Sequence, residues 1–72
     1  MMAKIQSSMT GTVWKVLVRP GDQVEAGQEV VILESMKMEI PIQSDYTGVV
    51  KDVKVEEGSF VSDGDVLVEL AD

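Results

Sequence analysis

The sequence contains neither cysteine nor histidine among its 72 residues. Without cysteine it has no disulfide and no thiolate nucleophile, which suits a reducing compartment. Without histidine it lacks the side chain that most often serves as general base and the commonest transition-metal ligand. The segment Asp63-Gly64-Asp65 lacks the further spaced ligands and the terminal glutamate of a calcium loop. We therefore expect no metal site.

Basic residues and long apolar runs are also scarce. Six lysine and arginine residues face thirteen aspartate and glutamate residues, and the net charge of −7 disfavours binding to nucleic acid or to an anionic membrane. No run approaches the roughly 18 apolar residues of a membrane span, and Met1-Met2-Ala3-Lys4 leads into no apolar signal segment. These absences predict a soluble, cytoplasmic protein with no nucleic-acid or membrane partner.

Aromatic residues are limited to one tryptophan, one tyrosine and one phenylalanine. We predict that Trp14, Tyr46 and Phe60 pack in the core or at its rim rather than form a binding platform. A chain of this length forms one domain, residues 1–72, which buries only about 60% of its unfolded surface. Its core is therefore thin, and we expect no deep active-site cavity.

An internal repeat occupies most of the chain. When residues 5–34 are aligned with residues 42–71, thirteen of the thirty pairs are identical. The identical pairs include the three glycines of each half and alternating valine and leucine residues, so the halves share both their turns and their buried faces. The sequence predicts two similar half-domains related by a pseudo-twofold axis, with residues 35–41 in the unmatched junction.

Alternation of apolar and polar residues between glycine and proline turns indicates strands and no helix. We predict eight strands, the two near residues 23 and 60 being short. Short alternating strands without helices favour two four-stranded antiparallel sheets packed as a sandwich or flattened barrel. The predicted strands are Lys4–Ser7, Thr10–Val18, Gln23–Val24, Glu29–Glu34, Met38–Gln43, Gly48–Val55, Phe60–Val61 and Val66–Leu70.

The junction between the halves carries the motif Glu34-Ser35-Met36-Lys37-Met38-Glu39. In the predicted fold it becomes a hairpin with Met36 and Lys37 at its tip, and Pro41 lies beyond the tip, where its missing N–H costs the ladder least. Two methionines that flank a turn cannot easily both be buried, so we predict that Met36 and Met38 are exposed. Glu34 and Glu39 are expected to be solvated charges at the strand ends.

The Met-Lys-Met tripeptide after Glu-Ser, together with the glycine-marked repeat, resembles the biotinyl/lipoyl attachment domain family, and in particular its free-standing single-domain members. The likeness runs from about Ile5 to Leu70. It implies a flattened eight-stranded barrel and a carrier without catalytic residues of its own, not an enzyme. It also implies that Lys37 receives biotin covalently, that Met36 and Met38 serve recognition, and that a ligase also reads Glu34 and Glu39.

The resemblance also implies partners. A lysine in water is almost entirely ammonium at neutral pH and a poor nucleophile, so another protein must activate the reaction. In this family a biotin protein ligase supplies the activated acyl group, and the arm then carries a carboxyl group between biotin carboxylase and carboxyltransferase sites. Tethering raises the local concentration of the cofactor at both sites. By itself the domain is expected to be a monomer.

Two other functions stay open. A lipoyl carrier, modified by a lipoate ligase, shares the fold and often has a glutamate three residues before the lysine, as Glu34 is here, but it usually shows Asp-Lys-Ala where this chain has Met-Lys-Met. The third possibility is an unmodified β-domain that acts as an interaction module.

The chain also departs from common biotinyl domains in Ser35, where alanine is usual, in Ser8-Met9-Thr10-Gly11, where Pro-Met-Pro-Gly is frequent, and in having too few residues between its strands for a protruding thumb loop.

Overall fold

A computed structural model describes residues 3–71, which form eight β-strands and no helix. The predicted number and order of the strands are confirmed, with differences only at their ends. The second and sixth strands are each two residues shorter at their carboxyl ends than the alternation predicted. The strands are β1 (Ala3–Gln6), β2 (Gly11–Val16), β3 (Gln23–Val24), β4 (Glu29–Ser35), β5 (Met38–Gln43), β6 (Gly48–Val53), β7 (Phe60–Val61) and β8 (Val66–Ala71).

The strands form two antiparallel four-stranded sheets. One sheet has the strand order β5-β4-β2-β7 and contains the central hairpin, so we call it the tip sheet. The other, the opposite sheet, has the order β1-β8-β6-β3. Each sheet takes two strands from each half of the chain, and neither half can therefore bury its apolar face without the other. The longest connections, residues 17–22 and 54–59, are compact turns, so the described residues include no thumb loop.

The pseudo-twofold symmetry extends to individual hydrogen bonds. The buried Ser7 hydroxyl donates to the carbonyl of Met9 at 2.5 Å, and the buried Ser44 hydroxyl donates to the carbonyl of Tyr46 at 2.6 Å. The Ser7 N–H donates to the carbonyl of Asp65, while the Ser44 N–H donates to that of Gln28, both at 2.8 Å. The two halves are therefore equivalent in backbone as well as in sequence pattern.

The core lies between the sheets and consists of aliphatic side chains that alternate along the strands with outward-facing residues. The backbone turns between the strands use glycines with positive φ at Gly21, Gly27, Gly58 and Gly64, where other residues would be strained. Burial of aliphatic side chains is the main stabilising term in such a fold. The buried core residues are Ile5, Val13, Val18, Val24, Val30, Val31, Leu33, Ile42, Val50, Val61, Leu67, Val68 and Leu70.

Candidate functional site

The junction motif forms the tip of a β-hairpin, as predicted. Strands β4 and β5 are joined by only two residues, Met36 and Lys37, and Ser35 pairs with Met38 where the ladder ends. Both turn residues have positive φ, 52° and 66° respectively. Positive φ at both central residues is the pattern of a type I′ turn, which matches the twist of the flanking strands and normally selects Asn-Gly. Here a methionine and a lysine occupy it, so the tip is locally strained.

The tip directs its side chains into solvent. Met36 is 92% exposed and Met38 64% exposed, which confirms the prediction that neither methionine is part of the core. Lys37 between them is also exposed. Within residues 3–71 its amine has no ion-pair partner. A second protein can therefore reach this amine without first displacing a neighbouring side chain.

The hairpin is held firmly just below its tip. The side chain of Leu33 is fully buried, and its cross-strand neighbour Ile40 is partly buried above the core. On the other side of β4, Gly11 approaches so closely that an added Cβ would lie 2.8 Å from the carbonyl oxygen of Glu34. Only glycine allows this contact between β2 and β4. The exposed lysine therefore stands on a rigid support rather than on a mobile loop.

Two carboxylates lie below the turn on the outer face of the hairpin. Glu34 and Glu39 are direct cross-strand partners and both are exposed, which confirms the prediction of solvated charges. Like charges placed opposite each other are mildly destabilising. Neither has an ion-pair partner in the described part of the chain. The tip thus combines one cationic amine with two uncompensated carboxylates on the same hairpin.

The prediction that the three aromatic residues pack in the core or at its rim was wrong. Phe60 is 70% exposed, Trp14 is 41% exposed, and Tyr46 is also on the surface. Phe60 lies in the two-residue strand β7. The other residue of that strand, Val61, faces inward opposite Gly11. The ladder between β2 and β4 shifts between Val13 and Lys15, so Trp14 lies at a bulge, and the Lys15 amine lies 5.5 Å from the centre of its ring. The alternation of apolar and polar residues along β2 does not indicate where this bulge lies.

The remainder of the described structure offers no competing chemical site. Residues 3–71 contain no group of three or more acidic side chains arranged to hold a metal ion. The same residues include no helix that is long and apolar enough to cross a membrane. An open, polar concavity lies beside Gln6, Ser8 and Gln43, at the end of β5 farthest from the turn. The hairpin tip is therefore the candidate functional site.

Comparison with known proteins gives consistent matches over nearly the whole chain. The family model described as Biotin-requiring enzyme matches residues 1–70. A Biotin/lipoyl attachment protein of Bacillus subtilis is 61% identical over 67 residues, covering 93% of this chain and 92% of that protein. The mitochondrial propionyl-CoA carboxylase alpha chain of Homo sapiens is 46% identical over 66 residues, covering 92% of this chain and 9% of the relative. The urea carboxylase of Kluyveromyces lactis superimposes with a TM-score of 0.91 at 32% identity, covering 99% of this chain and 6% of that one.

The three relatives differ greatly in length. The chain corresponds to nearly the full length of a small attachment protein and to a small segment of two large carboxylases. The fold predicted from alternation and repetition, an all-β pair of four-stranded sheets, is shared with a segment of a carboxylase. This chain belongs to the biotin/lipoyl attachment domain family.

Proposed function

We propose that this protein is a biotin carboxyl carrier and that Lys37 is its covalent attachment site. The observation that supports this most directly is the tip geometry: a two-residue turn with positive φ at Met36 and Lys37, exposed methionines on both sides of the lysine, and an unpaired amine. The other four lysines lie in or beside strands and lack methionine flanks. No other amine in the described chain is presented in this way.

The residues at the tip fit an amide-linked cofactor. An exposed primary amine can form the amide, but a free carboxylate does not acylate an amine in water, so an activating enzyme must supply the reactive acyl group. We assign that step to a biotin protein ligase. When attached, biotin supplies a ureido group that accepts a carboxyl group. The protein's own part is to hold Lys37 on a rigid, exposed turn so that the same arm can reach a biotin carboxylase and a carboxyltransferase in turn.

The residues that flank the lysine favour biotin over lipoate. Methionine precedes and follows Lys37, whereas lipoyl domains usually have aspartate before the lysine and alanine after it. Two of the similar proteins are carboxylases by name, which agrees with biotin. The name of the Bacillus subtilis relative includes both cofactors, however, and Glu34 lies three residues before the lysine, as in many lipoyl domains. Lipoylation, alone or beside biotinylation, is therefore the second candidate function.

Intact-mass measurement tests the assignment of lysine and cofactor together. The purified apo protein is incubated with ATP and either biotin and biotin ligase or lipoate and lipoate ligase. We expect the addition of one biotinyl group, located at Lys37 by peptide mapping. Lys37→Arg keeps the charge but removes the acceptor amine, so it should stay unmodified while its melting curve matches that of the parent. Biotin on the Lys37→Arg variant would refute the site, and no adduct from either ligase would favour an unmodified interaction module.

A double substitution tests whether the methionines select the cofactor. Met36→Asp with Met38→Ala gives the lipoyl-like tripeptide, and the exposure of both side chains, 92% and 64%, means that the core is left intact. We expect the biotinylation rate to fall and the lipoylation rate to be retained or to rise. An unchanged ratio of the two rates in the double variant would show that the ligases read another part of the sheet surface.

A further inference from the structure

The two sheets have equivalent backbones but different outer surfaces. Five outward-facing positions on the tip sheet, or directly after one of its strands, carry apolar side chains, while the pseudo-symmetric positions of the opposite sheet carry charged or polar ones. The apolar patch, as we call the first set, consists of Trp14, Leu17, Ile32, Pro41 and Phe60. Each of these residues has a counterpart 37 positions away in the other repeat. The counterparts, given in the same order as the patch residues, are Lys51, Lys54, Glu69, Lys4 and Gln23.

Strand pairing places the members of the apolar patch on one outer face, in adjacent rows that also contain Thr12 and Lys15. Thr12 pairs with Phe60 on one side and with Glu34 on the other, which sets one outward-facing row across the sheet. Ile32 pairs with Lys15 and with Pro41, which sets the adjacent row. Paired residues on neighbouring strands lie roughly 5 Å apart, so these side chains cover one surface.

The opposite sheet carries charged side chains that pair with one another at these positions. The Lys54 amine lies 3.0 Å from a carboxylate oxygen of Asp52 and 3.7 Å from one of Glu69. Lys4 is the cross-strand partner of Glu69. These contacts also show that position 54 faces outward, and by symmetry so does Leu17, which is 47% exposed. An ionic surface at these positions is therefore compatible with the fold, and the apolar patch is not needed for folding.

An exposed apolar patch that the fold does not need indicates a binding surface. Its chemistry limits the partner. Glu34 and Glu39 lie on the same outer face, unpaired, beside Ile32 and the tip. The chain as a whole carries a net charge of −7, so a second copy would bring two further carboxylates against these two and would be repelled. The surface fits a protein with apolar pockets and basic residues around them.

We propose that the outer face of the tip sheet is the docking surface for the enzyme that acylates Lys37, with Phe60 as an anchor in the apolar patch and Glu34 and Glu39 paired with basic residues of that enzyme. This inference rests on the proposed function of Lys37 as attachment site. An enzyme that acts on the amine itself must fit the protein surface around the hairpin, whereas one that acts on the far end of an attached arm can work at a greater distance. Strands β4 and β5 join the patch directly to the turn.

The pseudo-symmetry provides a matched test. Phe60→Gln places on the tip sheet the residue that already occupies the equivalent position of the opposite sheet, without a change of charge. Gln23→Phe makes the reverse change on the opposite sheet, and the double exchange has the composition of the parent with the phenylalanine moved to the other face. Steady-state modification of apo protein by the ligase is measured for all four proteins. Melting curves verify that each is folded.

For Phe60→Gln and for the double exchange we expect KM for the apo protein to rise roughly tenfold, as for loss of an interface anchor, with kcat within about twofold of the parent. Gln23→Phe should leave both constants unchanged. Leu17→Gln provides an independent change in the same patch and should also raise KM. Added salt should raise KM less for Glu39→Gln than for the parent, because one charge pair is already lost.

Several outcomes would overturn the inference while leaving the attachment site intact. Unchanged KM in both Phe60→Gln and Leu17→Gln would remove the patch from the docking surface. Normal ligation combined with impaired carboxylation by biotin carboxylase would assign the patch to that enzyme. A parent that sediments as a dimer, and a Phe60→Gln variant that sediments as a monomer, would assign it to a second copy of the chain. A parent that neither ligase modifies would refute the proposed function first.

Discussion

The strained turn at the tip gives the sharpest prediction about stability. Met36 and Lys37 both have left-handed backbone conformations, which cost a residue with a Cβ about 1–2 kcal/mol. Lys37→Gly removes that cost but adds about 0.5–1 kcal/mol of conformational entropy in the unfolded chain. Met36→Asn introduces a residue that tolerates the conformation. The double variant has the Asn-Gly turn that such hairpins prefer and should be more stable than the parent by about 1 kcal/mol.

For a domain of this size, about 1 kcal/mol corresponds to a rise in Tm of about 4–8 °C. Thermal and urea denaturation of the apo proteins measure the effect. Ala26→Gly is the control, because Ala26 is an exposed turn residue without positive φ. This substitution should lower the free energy of unfolding by about 0.5–1 kcal/mol. If the Asn-Gly variant melts at or below the parent while Ala26→Gly behaves as expected, the turn is not strained. A stabilised variant would show that Met36 and Lys37 occupy this turn at a cost in stability.

Three further predictions concern the scaffold. Gly11→Ala should destabilise the protein more than Gly48→Ala in urea denaturation. A Cβ at position 11 would lie 2.8 Å from the Glu34 carbonyl oxygen, whereas one at position 48 would lie 3.1 Å from that of Ala71. Equal losses of stability would contradict this prediction. Ser44→Ala should cost about 1–3 kcal/mol, because it leaves the Tyr46 backbone without the buried hydroxyl that it contacts at 2.6 and 3.0 Å; a loss within error would contradict it. The hydrogen bond and charge of Lys54 lower the pKa of Asp52. The ionised Asp52 carboxylate therefore stabilises the fold above the pKa that it has in the unfolded chain, and this contribution is lost as the pH falls through the lower pKa of the folded state. Lys54→Leu should move the Asp52 pKa back towards its usual range in a carboxyl NMR titration, and an unmoved pKa would refute the pairing.

Much of the fold followed from the sequence because its signals are local and repeated. The period-two alternation locates strands, and glycines at equivalent positions of both halves locate turns. The repeat adds a second, independent indication of every element in the first half. The junction was identified by the same reasoning, since a motif that has no counterpart in either repeat must lie where one half ends and the next begins. Lys37 at a hairpin tip was therefore predictable from the chain alone.

Only the tertiary structure decided which side chains face outward where alternation is interrupted. Trp14 lies at a register shift, where a bulge places neighbouring residues on the same side of the sheet. Phe60 lies in a strand of two residues, too short for a pattern, and the pairing of Val61 with Gly11 turns it outward. The left-handed backbone at Met36 and Lys37 had no sequence signal, since neither residue favours it. These features depend on how strands that are distant in the chain pair with one another, which no local pattern contains, and they set the backbone of the tip and the apolar surface beside it.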